Sequence, residues 1–355
     1  MTETANIEKL PAPVRKHVKR LLKDYEHDSP YKRVIIIEAL RLVSGGYDNA
    51  DMKMLSKVLS ELRQGLDVFQ PYQSQRKITI FGSARTRPTD PHYQQVRQCA
   101  EALKNVGFMI ITGGGGGMMQ AANEGATEKN SFAININLPM EQAPNPVMIG
   151  SPRHFYCQYF FTRKLFFLKE SDAVILTPGG FGTLDEAFET LTLLQTGRNP
   201  PIPVVLLEAP GDDYWGPLMH SWMRRLVNDH FISPDDHHML YHTDNIDSVV
   251  SHIRDYYSNY HSFRYVGDSI LLRILNPLSE DALKRLNAEF NDVLREGHID
   301  QVFQWPKSDD ACYAHLPRLR MHLDRHRMNV LPQIIRRMNA LYQLDHNGDQ
   351  LPVSR

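Results

Sequence analysis

The run Ala173-Val174-Ile175-Leu176, entered from Asp172, has the length of a buried strand and ends in Thr177-Pro178-Gly179-Gly180-Phe181-Gly182-Thr183. Beyond it, Ala187, Leu191 and Leu194 recur at helical spacing. A strand that hands over to a helix through a glycine turn leaves the first helical N–H groups without internal partners, at the positive end of the helix dipole. Such a turn is suited to an anion, and glycine lets the backbone itself approach it.

The same pattern governs the middle of the chain. Strands are expected over 78–81, 108–111, 132–136, 172–176 and 203–207, and helices over 91–105, 118–128, 159–169, 215–228 and 244–257. Strands separated by helices give parallel crossovers, so the fold class is α/β, a Rossmann-like, doubly wound parallel sheet. Ligands in such sheets bind at the carboxyl ends of the strands. Both glycine turns, 113–117 and 179–182, follow strands and belong on that edge.

Three domains are expected: a helical N-terminal extension over 1–72, the α/β unit over 73–260, and a small α+β extension over 261–355. Apolar stripes (Val14, Val18, Leu21 and Leu22 on the first) mark the N-terminal helices, and 70–75 reads as a linker. In the C-terminal part, strands are expected over 270–274 and 319–323, and helices over 279–294 and 330–341.

Composition excludes several classes. A net charge of −1 gives no general attraction to nucleic acid or to an anionic membrane. The basic run Lys16, Lys19, Arg20 and Lys23 reads as a solvated face. Three separated cysteines, Cys99, Cys157 and Cys312, make neither a disulfide framework nor a metal-binding pair, consistent with a reducing cytoplasm. The first residues, Met1-Thr2-Glu3-Thr4, do not read as a signal peptide. No apolar run approaches the roughly 20 residues of a membrane span. The sixteen histidines contain no HExxH spacing, so no metal is expected, and His237-His238 reads as an exposed loop.

The glycine turns match neither common nucleotide fingerprint. GxGxxG fails because Gly115-Gly116-Gly117-Met118-Met119 reaches Gln120, and no Gly-Lys-Ser/Thr follows either turn. Two such turns on one sheet edge favour a phosphate cradle over turn sterics alone. On the helix over 159–169, Phe160, Arg163 and Phe167 share one face, where a guanidinium flanked by aromatics can grip a phosphate or carboxylate. Glu186 falls about one turn into the helix after the second glycine turn. A carboxylate there repels phosphate but can hold ribose hydroxyls, position a water or stabilise a cationic transition state. Its neighbour Asp185 reads as a complement to the helix dipole.

These residues resemble the LOG family, phosphoribohydrolases often misnamed lysine decarboxylases. The family pattern Pro-Gly-Gly-x-Gly-Thr-x-x-Glu matches Pro178 to Glu186 in full, its Arg-Lys pair matches Arg163-Lys164, its Thr-Gly-Gly-Gly-x-Gly-x-Met turn matches Thr112 to Met119, and its Gly-Ser after the first strand matches Gly82-Ser83. The resemblance covers about 75–260 and is nearer the larger bacterial members. The chain departs from it at Gln120, where an acid is common, and before Arg163-Lys164, where Met is usual.

The resemblance implies hydrolysis of a nucleoside 5′-monophosphate to free base and ribose 5-phosphate, without a cofactor. By it Glu186 is the catalytic carboxylate and Arg163 orients the substrate and assists. Gly179, Gly180, Gly182 and Thr183 hold the phosphate, Gly114 and Gly115 shape the facing wall, and Ser83 and Lys164 also contact substrate. A homo-oligomer is implied. The alternative is a non-catalytic nucleotide or molybdenum-cofactor carrier of the same superfamily. A nucleotide effector sensed by the flanking segments is a further expectation, motivated by Arg318, Arg320, Arg325, Arg327, Arg336 and Arg337.

Overall fold

The computed structural model describes residues 12–23, 29–137, 143–304 and 311–346. The chain divides into two compact units, 1–63 and 64–355. In the first, helices α1 (Ala12–Lys23) and α2 (Pro30–Val43) bury Val18, Leu22 and Ile37 against one another. The basic run of α1 lies on its exposed side. Helix α3 spans Asn49–Phe69.

The second unit is built on a seven-stranded parallel sheet. Its strands are β1 (Lys77–Phe81), β2 (Met109–Thr112), β3 (Ser131–Ile136), β4 (His154–Cys157), β5 (Ala173–Leu176), β6 (Val204–Leu207) and β7 (Leu240–Thr243), in the spatial order 4-3-2-1-5-6-7. Strand order reverses between β1 and β5, which pair from Ile78↔Ala173 to Phe81↔Leu176. That is the topological switch point, where a crevice opens at the carboxyl edge.

Side-chain alternation sends successive residues of β1 to opposite faces. Ile78 and Ile80 pack in one core with Val96 and Ala100 of α4 (Pro91–Asn105), Ala121 and Ala122 of α5 (Met118–Ala126), and Val249 and Ile253 of α9 (Ile246–Tyr256). Phe81 meets Phe167 of α6 (Phe160–Lys169) edge to face at 5.0 Å, on the other side. On that face Phe69 stacks on Phe132 at 4.5 Å and Phe155 meets Phe166 at 5.7 Å. A Cβ on Gly65 would lie 2.2 Å from the Phe166 ring, so that position admits only glycine. Both faces are covered, as a parallel sheet requires. The remaining helices are α7 (Phe181–Gln195) and α8 (Met223–Asn228), the latter preceded by a π turn at Leu218–Trp222.

The amino edge is pinned by charge. Asp172 accepts from Arg76 Nη1 at 2.9 Å and from the Lys77 N–H at 2.9 Å, and the Arg76 guanidinium lies 3.7 Å over the Tyr257 ring. The segment 70–75, expected as a linker, is an ordered turn whose Tyr72 packs edge-on against Phe132 and whose carbonyl accepts from Lys77 Nζ.

The C-terminal part of the unit forms an antiparallel sheet in the order β10-β11-β9-β8, from β8 (Tyr260–Val266), β9 (Ser269–Ile274), β10 (Leu294–Val302) and β11 (Arg318–Leu323). Helices α10 (Glu280–Phe290) and α11 (Leu331–Asp345) cover it. Ser279 caps α10 by accepting from the Ala282 N–H. The helix expected over 279–294 stops at Phe290, and Leu294 opens β10 instead. The core of this sheet includes Tyr256 and Tyr257 from the end of α9, and Asn339 Nδ2 donates to the carbonyls of Asp255 and Tyr256 there. Helix α9 thereby serves both sheets, with Val249 and Ile253 in the core of the parallel sheet and Tyr256 in that of the extension.

Candidate functional site

A cavity of about 640 Å³ opens at the switch point. Three strand ends supply its walls: Phe81 to Arg85 after β1, Gly113 after β2, and Gly180 to Leu184 after β5, with Met119 from α5, Arg163 and Phe167 from α6, and Glu186 from α7. Six of the sequence-predicted residues therefore meet here: Ser83, Arg163, Gly180, Gly182, Thr183 and Glu186.

The segment after β1 staples the two glycine turns. The Ser83 N–H donates to the Pro178 carbonyl at 3.0 Å, and the Ser83 carbonyl accepts from the Met118 N–H at 3.0 Å. Gly82 is needed for this approach, because a Cβ would sit 2.0 Å from Thr177 Oγ1. Gly179 is needed too, with Thr183 Oγ1 at 2.1 Å. At Gly180 and Gly182 a Cβ would meet nothing within 4 Å, so these two face open space. α7 starts at Phe181, and the Thr183 and Leu184 N–H groups donate back to the Gly180 carbonyl. The orphan N–H end of α7 thus faces the cavity.

Gly114, Gly115, Gly179 and Lys164 lie beside the cavity without lining it. Gly114 (φ +72°) is buried, and its carbonyl accepts from the backbone and side chain of Asn145. The Gly115 carbonyl accepts from Asn145 Nδ2 as well. Lys164 Nζ lies 2.9 Å from Asp185 Oδ2, 2.5 Å from Glu189 Oε2 and 4.0 Å from Glu186 Oε2. Asp185 therefore has a definite partner, half-exposed on the helix surface.

Glu186 is 4% exposed, and its Oε2 has no hydrogen-bond partner among the described residues. Burial raises its carboxyl from the ordinary value of 4.5 to about 7, against the opposing pull of Lys164 and Arg163. The Arg163 guanidinium is sandwiched between Phe160 at 5.2 Å and Phe167 at 5.4 Å. Aromatic faces on both sides hold a cation in place without neutralising it. The site thus presents a fixed cation, a carboxyl that titrates near neutrality, and backbone donors in one cavity. Among the described residues no group of His, Cys, Asp and Glu is arranged to hold a metal.

Sequence reasoning passed over Gly113, Arg85, Met119, Phe181 and Leu184 as lining residues, while it had placed Phe167 beside Arg163. Arg85 follows Gly82-Ser83 after one residue, Ala84, and Phe181 is the variable position of the glycine motif at 94% exposure, so both were within reach of the pattern. Each of the six C-terminal arginines has a partner of its own. Arg318 donates to the Leu316 and Tyr313 carbonyls, Arg336 to the His238 carbonyl, and Arg320, Arg325, Arg327 and Arg337 pair with Asp300, Asp268, Asp235 and Glu289.

Fold and site together define an α/β protein with a crevice at its switch point that brings Arg163, Glu186 and the glycine turn after β5 together. Residues 119–253 match the family model described as "Possible lysine decarboxylase". Probable cytokinin riboside 5′-monophosphate phosphoribohydrolase LOGL9 of Oryza sativa subsp. japonica is 33% identical over 185 residues, 51% of this chain and 78% of that protein. Cytokinin riboside 5′-monophosphate phosphoribohydrolase LOG3 of Arabidopsis thaliana is 26% identical over 185 residues, 51% of this chain and 83% of that protein. The match to LOG1 of Arabidopsis thaliana, 37% identical, spans 42% of that protein's length. This chain belongs to the LOG family. Among solved structures, the molybdenum cofactor binding protein from Rippkaea orientalis is 19% identical over 50% of this chain and 94% of that one, with a TM-score of 0.34. The molybdenum cofactor carrier protein of Chlamydomonas reinhardtii is 17% identical at the same coverages and score. At such scores the likeness carries no functional weight.

Proposed function

We propose that this protein hydrolyses the N-glycosidic bond of nucleoside 5′-monophosphates, releasing free base and ribose 5-phosphate. The observation that carries this reading is Glu186: a buried carboxyl whose Oε2 makes no hydrogen bond among the described residues, in a cavity that also holds Arg163 and the amino end of α7. The 5′-phosphate sits on the N–H groups of Gly180, Phe181 and Gly182, where the α7 dipole favours negative charge. The sugar then lies toward Glu186 and Arg163. As the C1′–N bond breaks, its electron pair leaves with the base and positive charge grows on the sugar. Ionised Glu186 stabilises that charge and accepts a proton from the attacking water, whose oxygen bonds to C1′. The departing base takes up a proton from solvent, and Glu186 returns to solvent the proton it took from water, so that base and ribose 5-phosphate together hold the atoms of the nucleotide and one water. Arg163 cannot supply the base's proton, since a guanidinium stays protonated; its part is to orient the substrate and balance the phosphate's charge.

The test is a panel of nucleoside 5′-monophosphates incubated with the full chain and resolved by chromatography. Free base and ribose 5-phosphate are expected, with Glu186→Ala and Arg163→Ala each lowering turnover at least about a hundredfold. Intact nucleotides after long incubation with folded protein would reject hydrolysis, and tight binding without turnover would favour the carrier reading.

A further inference from the structure

We infer that Tyr214 is a positioning residue for the phosphate grip, acting as a latch that sets the direction of the Gly179–Gly180 peptide. The inference rests on the proposed phosphate site and goes beyond it by naming what keeps that site formed. Tyr214 belongs to the segment after β6, 35 residues from Gly179 in sequence, and its hydroxyl donates to the Gly179 carbonyl at 2.5 Å.

A trans peptide is planar, so its C=O and N–H point in opposite directions. Fixing the carbonyl of one residue fixes the N–H of the next. Three successive carbonyls of the turn are held in this way. Pro178 accepts from the Ser83 N–H, Gly179 accepts from Tyr214, and Gly180 accepts from the Thr183 and Leu184 N–H groups. The first and third holds are backbone to backbone and come with the fold. The middle one depends on a side chain, and it acts on the peptide that lies between two glycines. Such a peptide rotates most easily, because glycine tolerates both signs of φ. Flipped, it would turn the Gly180 N–H away from the cavity and aim a carbonyl oxygen at the bound anion.

Tyr214 is well anchored for this task. Trp215 beside it is fully buried, its N–H donates to Glu208 Oε2 at 2.9 Å, and its ring meets the Tyr214 ring edge to face at 4.8 Å. Glu208 in turn lies 2.5 Å from His242 Nε2 on β7. The latch therefore grows from two neighbouring strand ends and reaches across to the turn after β5.

Tyr214→Phe removes only the hydroxyl and keeps the ring on Trp215. Ribose 5-phosphate titrated into the full chain by calorimetry should bind about three- to tenfold more weakly in the variant. KM for the hydrolysed monophosphate should rise by the same factor with kcat within about twofold, the signature of lost ground-state binding. Ribose without phosphate should bind equally to both proteins, and the thermal midpoint without ligand should stay the same. Unchanged ribose 5-phosphate affinity overturns the latch, as does an equal loss for ribose and ribose 5-phosphate. The two readings fail separately: a chain that turns over nothing, yet loses ribose 5-phosphate affinity on Tyr214→Phe, keeps the latch and loses the hydrolase.

Discussion

The two glycine turns of this protein look alike in sequence and differ in what their glycines are for. In the turn after β2, glycine is demanded by the protein's own packing. A Cβ on Gly114 would lie 1.9 Å from Asn135 Oδ1, and one on Gly117, at φ +62°, would lie 2.2 Å from the Ser83 carbonyl oxygen. In the turn after β5, Gly180 and Gly182 have empty space where a Cβ would go, and that space is the cavity. The first turn is a structural joint, tied by Asn145 to the chain beyond β3. The second opens on the cavity through Gly180 and Gly182, while its Gly179, packed on Thr183, serves packing as the glycines of the first turn do.

Substitution separates the two turns. Gly117→Ala should have the larger effect, because it meets backbone atoms that cannot move aside and strains a positive φ. A loss of about 3 kcal/mol or more is expected in chemical denaturation. Gly180→Ala should leave stability within about 1 kcal/mol of the parent while weakening ribose 5-phosphate binding. Equal stability losses for the two variants would erase the distinction.

A smaller effect belongs to Glu186. Its folded-state value of about 7 lies above the ordinary 4.5, so the folded protein holds the proton more tightly than the unfolded chain. The stability that this group contributes is then fully present below about pH 4.5 and is lost as pH rises through 7. Glu186→Gln removes that decline, and should be more stable than the parent at pH 8 by on the order of 2–3 kcal/mol, with the difference fading toward pH 4.5. Denaturation curves across this range that run parallel for both proteins would contradict the burial argument.

The smallest effect concerns Lys164, whose ammonium 4.0 Å from Glu186 Oε2 lowers the proton affinity of that carboxyl. Lys164→Met should move the acid limb of kcat/KM to higher pH while leaving activity on the alkaline side largely intact. A limb that stays in place would assign Lys164 to holding Asp185 and Glu189 alone.

Much of the architecture was legible because apolar periodicity is a local signal. The runs at 78–81, 132–136 and 172–176 became strands of the parallel sheet, and the motif from Pro178 to Glu186 became a turn and helix at its carboxyl edge. Strands β4, β7, β8 and β10 escaped. Half-exposed residues such as Tyr156, His242 and Tyr265 break their pattern, and their strand character comes from neighbours they pair with. The role of Lys164 escaped for a related reason. Adjacent to Arg163 in sequence, it lies about 100° around the helix and turns to the acids of α7.

Residue order alone placed a glycine turn, an arginine flanked by aromatics and a carboxyl on one sheet edge. These follow from residue type and short-range spacing, which local geometry converts directly into position. Long-range packing set which glycines face the cavity, how deeply Glu186 is buried, and that Tyr214 reaches Gly179. Each of those depends on what distant segments bring to the same point, and no window of neighbouring residues carries that information.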